Sequence, residues 1–167
     1  DTSELFSVYD NDAPLVYVLS PSSGYEIGEY DNITVSWTSI DNMQTDYVSI
    51  YYSNDGGQSF SFQGQSDAGE IQFSFEIPFG VTDSALVKLV AVDIYGNEGS
   101  SVSGFFSVSD NTPPVVGFTT QIQEIAIGSS MVVSWSSNDE SEIESHILYY
   151  RNGTDVDFDF VDSLGGS

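Results

Sequence analysis

The chain has 167 residues, 26 of them Asp or Glu against one Lys (Lys88) and one Arg (Arg151), for a formal net charge of −24. That balance excludes nucleic-acid binding, which needs clustered cations to meet phosphate, and it leaves a self-repelling surface that salt or divalent cations must screen. Cysteine is absent, which excludes disulfides and thiol chemistry.

Residues 4–9 are expected to form a strand, the last of a preceding repeat, with its linker running on to residue 12. The next strand, 15–19, is broken by Ser20-Pro21-Ser22-Ser23-Gly24. Residues 25–29 lead into a strand at 32–38, where Ile33, Val35 and Trp37 share one face at a period of two. Trp37 should therefore be the central core aromatic. A third strand at 47–53 runs into Asn54-Asp55-Gly56-Gly57, a hairpin signal because these residues accept positive φ. Residues 60–62 return, 65–69 read as a polar loop, and 71–77 alternate again.

Pro78-Phe79-Gly80 turns the chain into a strand at 86–93, where Val87, Leu89 and Ala91 take the core face. Residues 93–99 supply turn chemistry, and a hairpin is expected whose returning strand is 105–108. Asp110-Asn111-Thr112-Pro113-Pro114 ends it, since two prolines lack ladder N–H groups. About seven strands result, and no window carries a sustained helical stripe. No apolar run is long enough for a membrane-spanning helix, and there is no signal-peptide pattern, so the numbering is expected to begin on a mature or excised segment.

The chain repeats itself. Leu5-Phe6-Ser7-Val8-Tyr9-Asp10-Asn11-Asp12-Ala13-Pro14 matches Phe105-Phe106-Ser107-Val108-Ser109-Asp110-Asn111-Thr112-Pro113-Pro114, 33–37 matches 131–135, and 48–54 matches 146–152. A period near 100 is the length of a β-sandwich domain and too long for a solenoid unit. The organisation read from this is 1–12 as the end of one repeat, 13–109 as a complete repeat, 110–114 as an acidic proline linker, and 115–167 as the first half of another. Trp135 should then take the core position of Trp37. The missing strands at either end would be supplied by further chain or by strand addition from neighbouring copies.

Trp on the second strand, a Tyr-rich third strand ending in Asn-Asp-Gly-Gly, and Val90-Ala91-Val92-Asp93 before Gly96-Asn97-Glu98 resemble the fibronectin type III and bacterial immunoglobulin-like tandem repeats of microbial surface proteins. That resemblance implies an all-β fold of tandem Greek-key β-sandwich domains, serving as spacers or adhesive modules. The two linkers, 10–14 and 110–114, are similar to the Asp-Asn-x-Pro linkers of cadherin repeats, where calcium stiffens the joint.

Calcium takes six to eight oxygen ligands, and a sandwich brings the entry of its first strand beside two of its loops. Asp10 and Asp12 are thereby expected near Asp41, Asn42, Asp93, Asn97 and Glu98, and Asp110 near Asn138, Asp139 and Glu140. Sequons at Asn32 and Asn152 are candidate glycosylation sites. With no Cys and a single His146, no nucleophile, base and orienter set can be assembled. Ser53–Phe60, similar to the Asp-box hairpin of sialidases, occurs once and reads as a turn.

The function expected is a secreted or cell-surface structural module of a stalk, adhesin or filament, with neighbouring repeats, copies of itself or surface glycans as partners. The alternative is a carbohydrate-binding accessory module, which a row of exposed aromatics such as Tyr51, Tyr95 and Tyr149 would favour. Enzymatic activity would need a pocket of paired carboxylates.

Overall fold

The computed structural model describes residues 4–121 and 124–165, so residues 1–3 of the leading segment and 166–167 of the trailing one lie outside it. Thirteen strands occur there: β1 (Leu15–Ser20), β2 (Glu26–Gly28), β3 (Asn32–Ile40), β4 (Thr45–Ser53), β5 (Ser61–Asp67), β6 (Gln72–Glu76), β7 (Thr82–Asp93), β8 (Glu98–Val102), β9 (Phe106–Ser109), β10 (Val115–Phe118), β11 (Trp135–Asn138), β12 (Ser145–Tyr150) and β13 (Asp159–Gly165). No helix occurs among the described residues. The chain divides into two compact units, Asp1–Asp110 and Asn111–Ser167.

The first unit is the expected β-sandwich. One sheet has the order β1-β3-β6 and the other β2-β9-β7-β4-β5, with β8 also pairing with β7. Strands adjacent in sequence thus often lie in different sheets, as a Greek key requires. The alternation read from the sequence is what fills the space between the sheets: Ile33, Val35 and Trp37 from β3 are at most 1% exposed, and Val87, Leu89 and Ala91 from β7 are fully buried. Phe106 and Val108 close the core from β9.

Four local readings differ from the structure. The turn at residues 93–97 returns as β8, not as 105–108; β8 pairs along Lys88–Val92, while β9 pairs with the other end of β7 at Thr82 and Ala85. The Ser- and Gly-rich β8 lacks apolar alternation and so carries no strand signal. Residues 25–29 include a separate strand, β2, which pairs in parallel with β9 rather than leading directly into β3. The supposed loop at 65–69 lies largely in β5, an edge strand bonded to β4, where polar Ser and Gln residues are tolerated. Residues 4–9 are not a strand: Leu5, Phe6 and Val8 are exposed and no ladder partner lies beside them among the described residues, and a strand does not persist without one.

The second unit repeats the first half of that plan. Leu15↔Ile40 in β1–β3 becomes Val115↔Asn138 in β10–β11, and the register break between Ile50 and Tyr51 in β4–β5 recurs between Leu148 and Tyr149 in β12–β13. Its four described strands form two two-stranded sheets. Trp135 is accordingly half-buried, lining an open cleft with Val116, Phe118 and Leu148, whereas Trp37 is enclosed.

Tyr52 carries an unusual load. Its ring packs on Phe75 and Phe106, but its hydroxyl is buried with no hydrogen-bond partner among the described residues. Desolvation pushes its pKa from 10.0 up to about 12. The unfolded chain therefore ionises first, and the stability present below pH 10 declines as pH rises towards 12. Tyr52→Phe should stabilise the protein by about 1 kcal/mol, since an unpaired buried hydroxyl is costly. It should also flatten the alkaline limb of a plot of urea-unfolding free energy against pH.

Candidate metal centre

At one end of the first unit, three loops converge on carboxylates. Asp10 arrives on the segment before β1, Asp41 follows β3, and Asp93 ends β7. Each offers a carboxylate oxygen within 4.8 Å of the others, the one such group of three among the described residues. The sandwich topology explains the meeting, because it carries the ends of β3 and β7 to the same pole as the chain entering β1.

Local turn chemistry aims each group. Asp93 is 1% exposed. Its Oδ1 accepts from the N–H groups of Tyr95 (2.9 Å) and Asn97 (2.7 Å), and its Oδ2 from Asn97 Nδ2 (2.7 Å). Burial alone would raise the Asp93 pKa, but these donors outweigh it and hold the carboxyl below its usual value. Asp41 Oδ2 accepts from the N–H groups of Met43 (3.0 Å) and Gln44 (3.1 Å), a loop-fixing turn. Asp10 Oδ1 accepts from the Asp12 N–H and from Asn42 Nδ2, both at 3.1 Å, and its backbone oxygen accepts from Asn97 Nδ2 at 3.3 Å.

One oxygen stands out. Asp10 Oδ2 is buried and has no hydrogen-bond partner among the described residues. Three carboxylates held this close repel one another, and a desolvated anionic oxygen without a donor adds to the cost. A hard divalent cation satisfies both, since Ca²⁺ is ligated by carboxylate, amide and backbone oxygens. Asp10, Asp41 and Asp93 would supply the carboxylates, and the amides of Asn42 and Asn97 offer carbonyl oxygens if turned over.

The remaining predicted ligands fall differently. Asp12 is reached through Asn42 Nδ2 at 3.2 Å and stands outside the triad. Glu98 is exposed and opens β8 opposite Val92, so its backbone closes the turn while its carboxylate is not in the triad. Asp110 is the last residue of the first unit. In the second unit, Asp139 accepts from the Glu140 N–H at 2.8 Å, and Glu140 accepts from the Thr112 hydroxyl at 3.4 Å.

The other motifs resolve into local roles. Asp55 accepts from the Ser59 hydroxyl (2.6 Å), the Ser59 N–H (3.0 Å) and the Ser53 hydroxyl (2.7 Å), so it ties its own hairpin loop, and those donors lower its pKa strongly. His146 Nε2 lies 2.7 Å from Ser137 Oγ and its ring 5.8 Å from that of Trp135. Asn32 and Asn152 are both exposed, the first at the start of β3 and the second in the loop after β12.

Over 89% of its length the chain aligns with fibronectin(III)-like modules of Clostridium thermocellum CbhA, covering 73% of that chain, at 18% identity and a TM-score of 0.45. An engineered protein aligns over 57% of the chain and 20% of its own length, at 14% identity and a TM-score of 0.40. No protein-family model and no curated protein matches the chain.

Proposed function

We propose that this chain is an extracellular structural module, part of a repetitive stalk, adhesin or filament, whose sandwich is locked to its entry segment by a calcium ion at Asp10, Asp41 and Asp93. The carrying observation is the buried, donorless Oδ2 of Asp10 beside two further carboxylates. A cation there joins the segment before β1 to the loops after β3 and β7, so chain that is otherwise without a strand becomes part of the rigid body. The surface charge of −24 fits a saline exterior, where counter-ions screen it within about 8 Å.

The test is a calcium titration followed by thermal unfolding. Binding to the folded state alone stabilises by RT ln(1 + [L]/Kd), about 2.7 kcal/mol at a hundredfold excess over Kd. The melting temperature should climb with calcium concentration, and Asp10→Asn together with Asp41→Asn should abolish the climb. An equal rise from sodium chloride at matched ionic strength would reduce the effect to screening and overturn the site.

A further inference from the structure

The outer face of the β4–β5 hairpin bears a pattern that the metal centre does not use. Tyr51 and Phe62 are cross-strand partners with their rings edge to face, 5.5 Å between centroids at 66°. Ninety-eight residues on, Tyr149 and Phe160 are again partners, at 6.2 Å and 79°, beside the same register break. Beside each pair lies a second phenylalanine under a cation: Lys88 Nζ is 5.7 Å from the Phe60 ring centre, and the Arg151 guanidinium is 4.8 Å from that of Phe158. These are the only Lys and Arg of the whole chain.

The pattern is not explained by the core. Phe62 is 58% exposed and Phe160 61%, although a hairpin needs no solvent-facing phenylalanine at a fixed position. The surrounding face is also unusual for so acidic a chain. Tyr51 pairs with Lys88 and Lys88 with Val102, while Ser49 pairs with Gln65 and Val90. Residues 49–53, 61–65, 86–90 and 100–102 contain no Asp or Glu, so the 14 acidic residues between Asp10 and Glu98 fall elsewhere in the first unit.

We infer that this face, centred on Tyr51 and Phe62 and repeated at Tyr149 and Phe160, is a binding platform for a neutral polysaccharide. The exposed rings offer apolar surface to the C–H face of a sugar, and the Gln65 and Lys88 side chains supply donors for its hydroxyls. Charge selects the class. A net charge of −24 disfavours polyanions, and the centre of the face holds no carboxylate for a cationic partner, the acids of that face, Asp67 opposite Tyr47 and Glu98 opposite Val92, lying towards one end of it. The platform occurs twice on the chain, once in each unit. The inference goes beyond the structural role and does not depend on the metal.

The experiment is native electrophoresis of the intact chain in EDTA, through gels containing soluble xylan, hydroxyethylcellulose or polygalacturonate. At least one of the two neutral polymers should retard the protein equally at low and high salt, and polygalacturonate should not. Phe62→Ser with Phe160→Ser should weaken retardation by about tenfold or more, as loss of central aromatic anchors does. Melting curves of this variant should match the parent, because both rings are exposed. Lys88→Gln, which keeps a donor and removes the charge, should retain binding to within about threefold. Retardation by polygalacturonate alone, by no polymer, or undiminished in the double variant would overturn the inference.

Discussion

Trp37→Ala is expected to lower the stability of the first unit by about 3 to 5 kcal/mol, measured by urea unfolding and followed by far-ultraviolet circular dichroism. Trp37 is 1% exposed, and its Nε1 has no partner among the described residues, so the loss is one of packing and cavity, with no broken hydrogen bond to add. The site cannot collapse to fill the void. Val35 and Ile33 flank it on the same strand face, and β3 is held on both sides by β1 and β6. The repeat supplies an internal control: Trp135→Ala, at the half-buried equivalent, should cost about 1 to 2 kcal/mol, because less surface leaves water. A Trp37→Ala protein that unfolds within a few tenths of a molar urea of the parent would remove Trp37 from the core.

Gly99→Ala should be of similar size through the opposite error, too much matter instead of too little. Gly99 lies in β8 opposite Ala91, and an added Cβ would fall inside the carbonyl oxygen of Pro14. Backbone cannot swing aside as a side-chain tip can. Either β8 must leave β7 or the entry to β1 must lift, and the second movement drags Asp10 from Asp93. Overpacking costs about 1 to 3 kcal/mol and more when the backbone must shift. Here it should also abolish the calcium-dependent rise in melting temperature. Gly96→Ala is the control: nothing lies within 4 Å of its Cβ position, and only its φ of +89° opposes the change. A Gly99→Ala protein with parental stability and an intact calcium response would mean that β1 and β8 do not approach this closely.

The sandwich was legible because its core strands state their faces in sequence. Ile33, Val35 and Trp37, and then Val87, Leu89 and Ala91, alternate without a break, and burying either set fixes the register. What escaped notice was polar or partnered at a distance. β8 is Glu, Gly and two Ser before a single Val, and β2 is three residues long with a partner 81 positions away, so neither has a local signature. The acidic pole was half legible. Asn and Asp in turns signal loop ends, and the topology then gathers those ends, which brings Asp10, Asp41 and Asp93 together. Spacing alone could not exclude Glu98, because a side chain's direction at the first residue of a strand depends on a pairing that the sequence did not announce. The paired rings of Tyr51 and Phe62 were equally hidden, since partnership across β4 and β5 depends on a bulge.

The parallel pairing of β2 with β9 has a mechanical consequence. Glu26, Ile27 and Gly28 run beside Ser107, Val108 and Ser109, and the Glu29 N–H donates to the Ser109 carbonyl at 2.9 Å. Tension entering the first unit before β1 and leaving after β9 pulls these two strands along their length in opposite senses. Their hydrogen bonds then share the load and must fail together in shear, instead of opening one at a time as they would if peeled. Extension of single molecules should therefore show one high force peak for the first unit, and Ser107→Pro, which deletes the β9 N–H that donates to the Tyr25 carbonyl at 2.9 Å, should lower it.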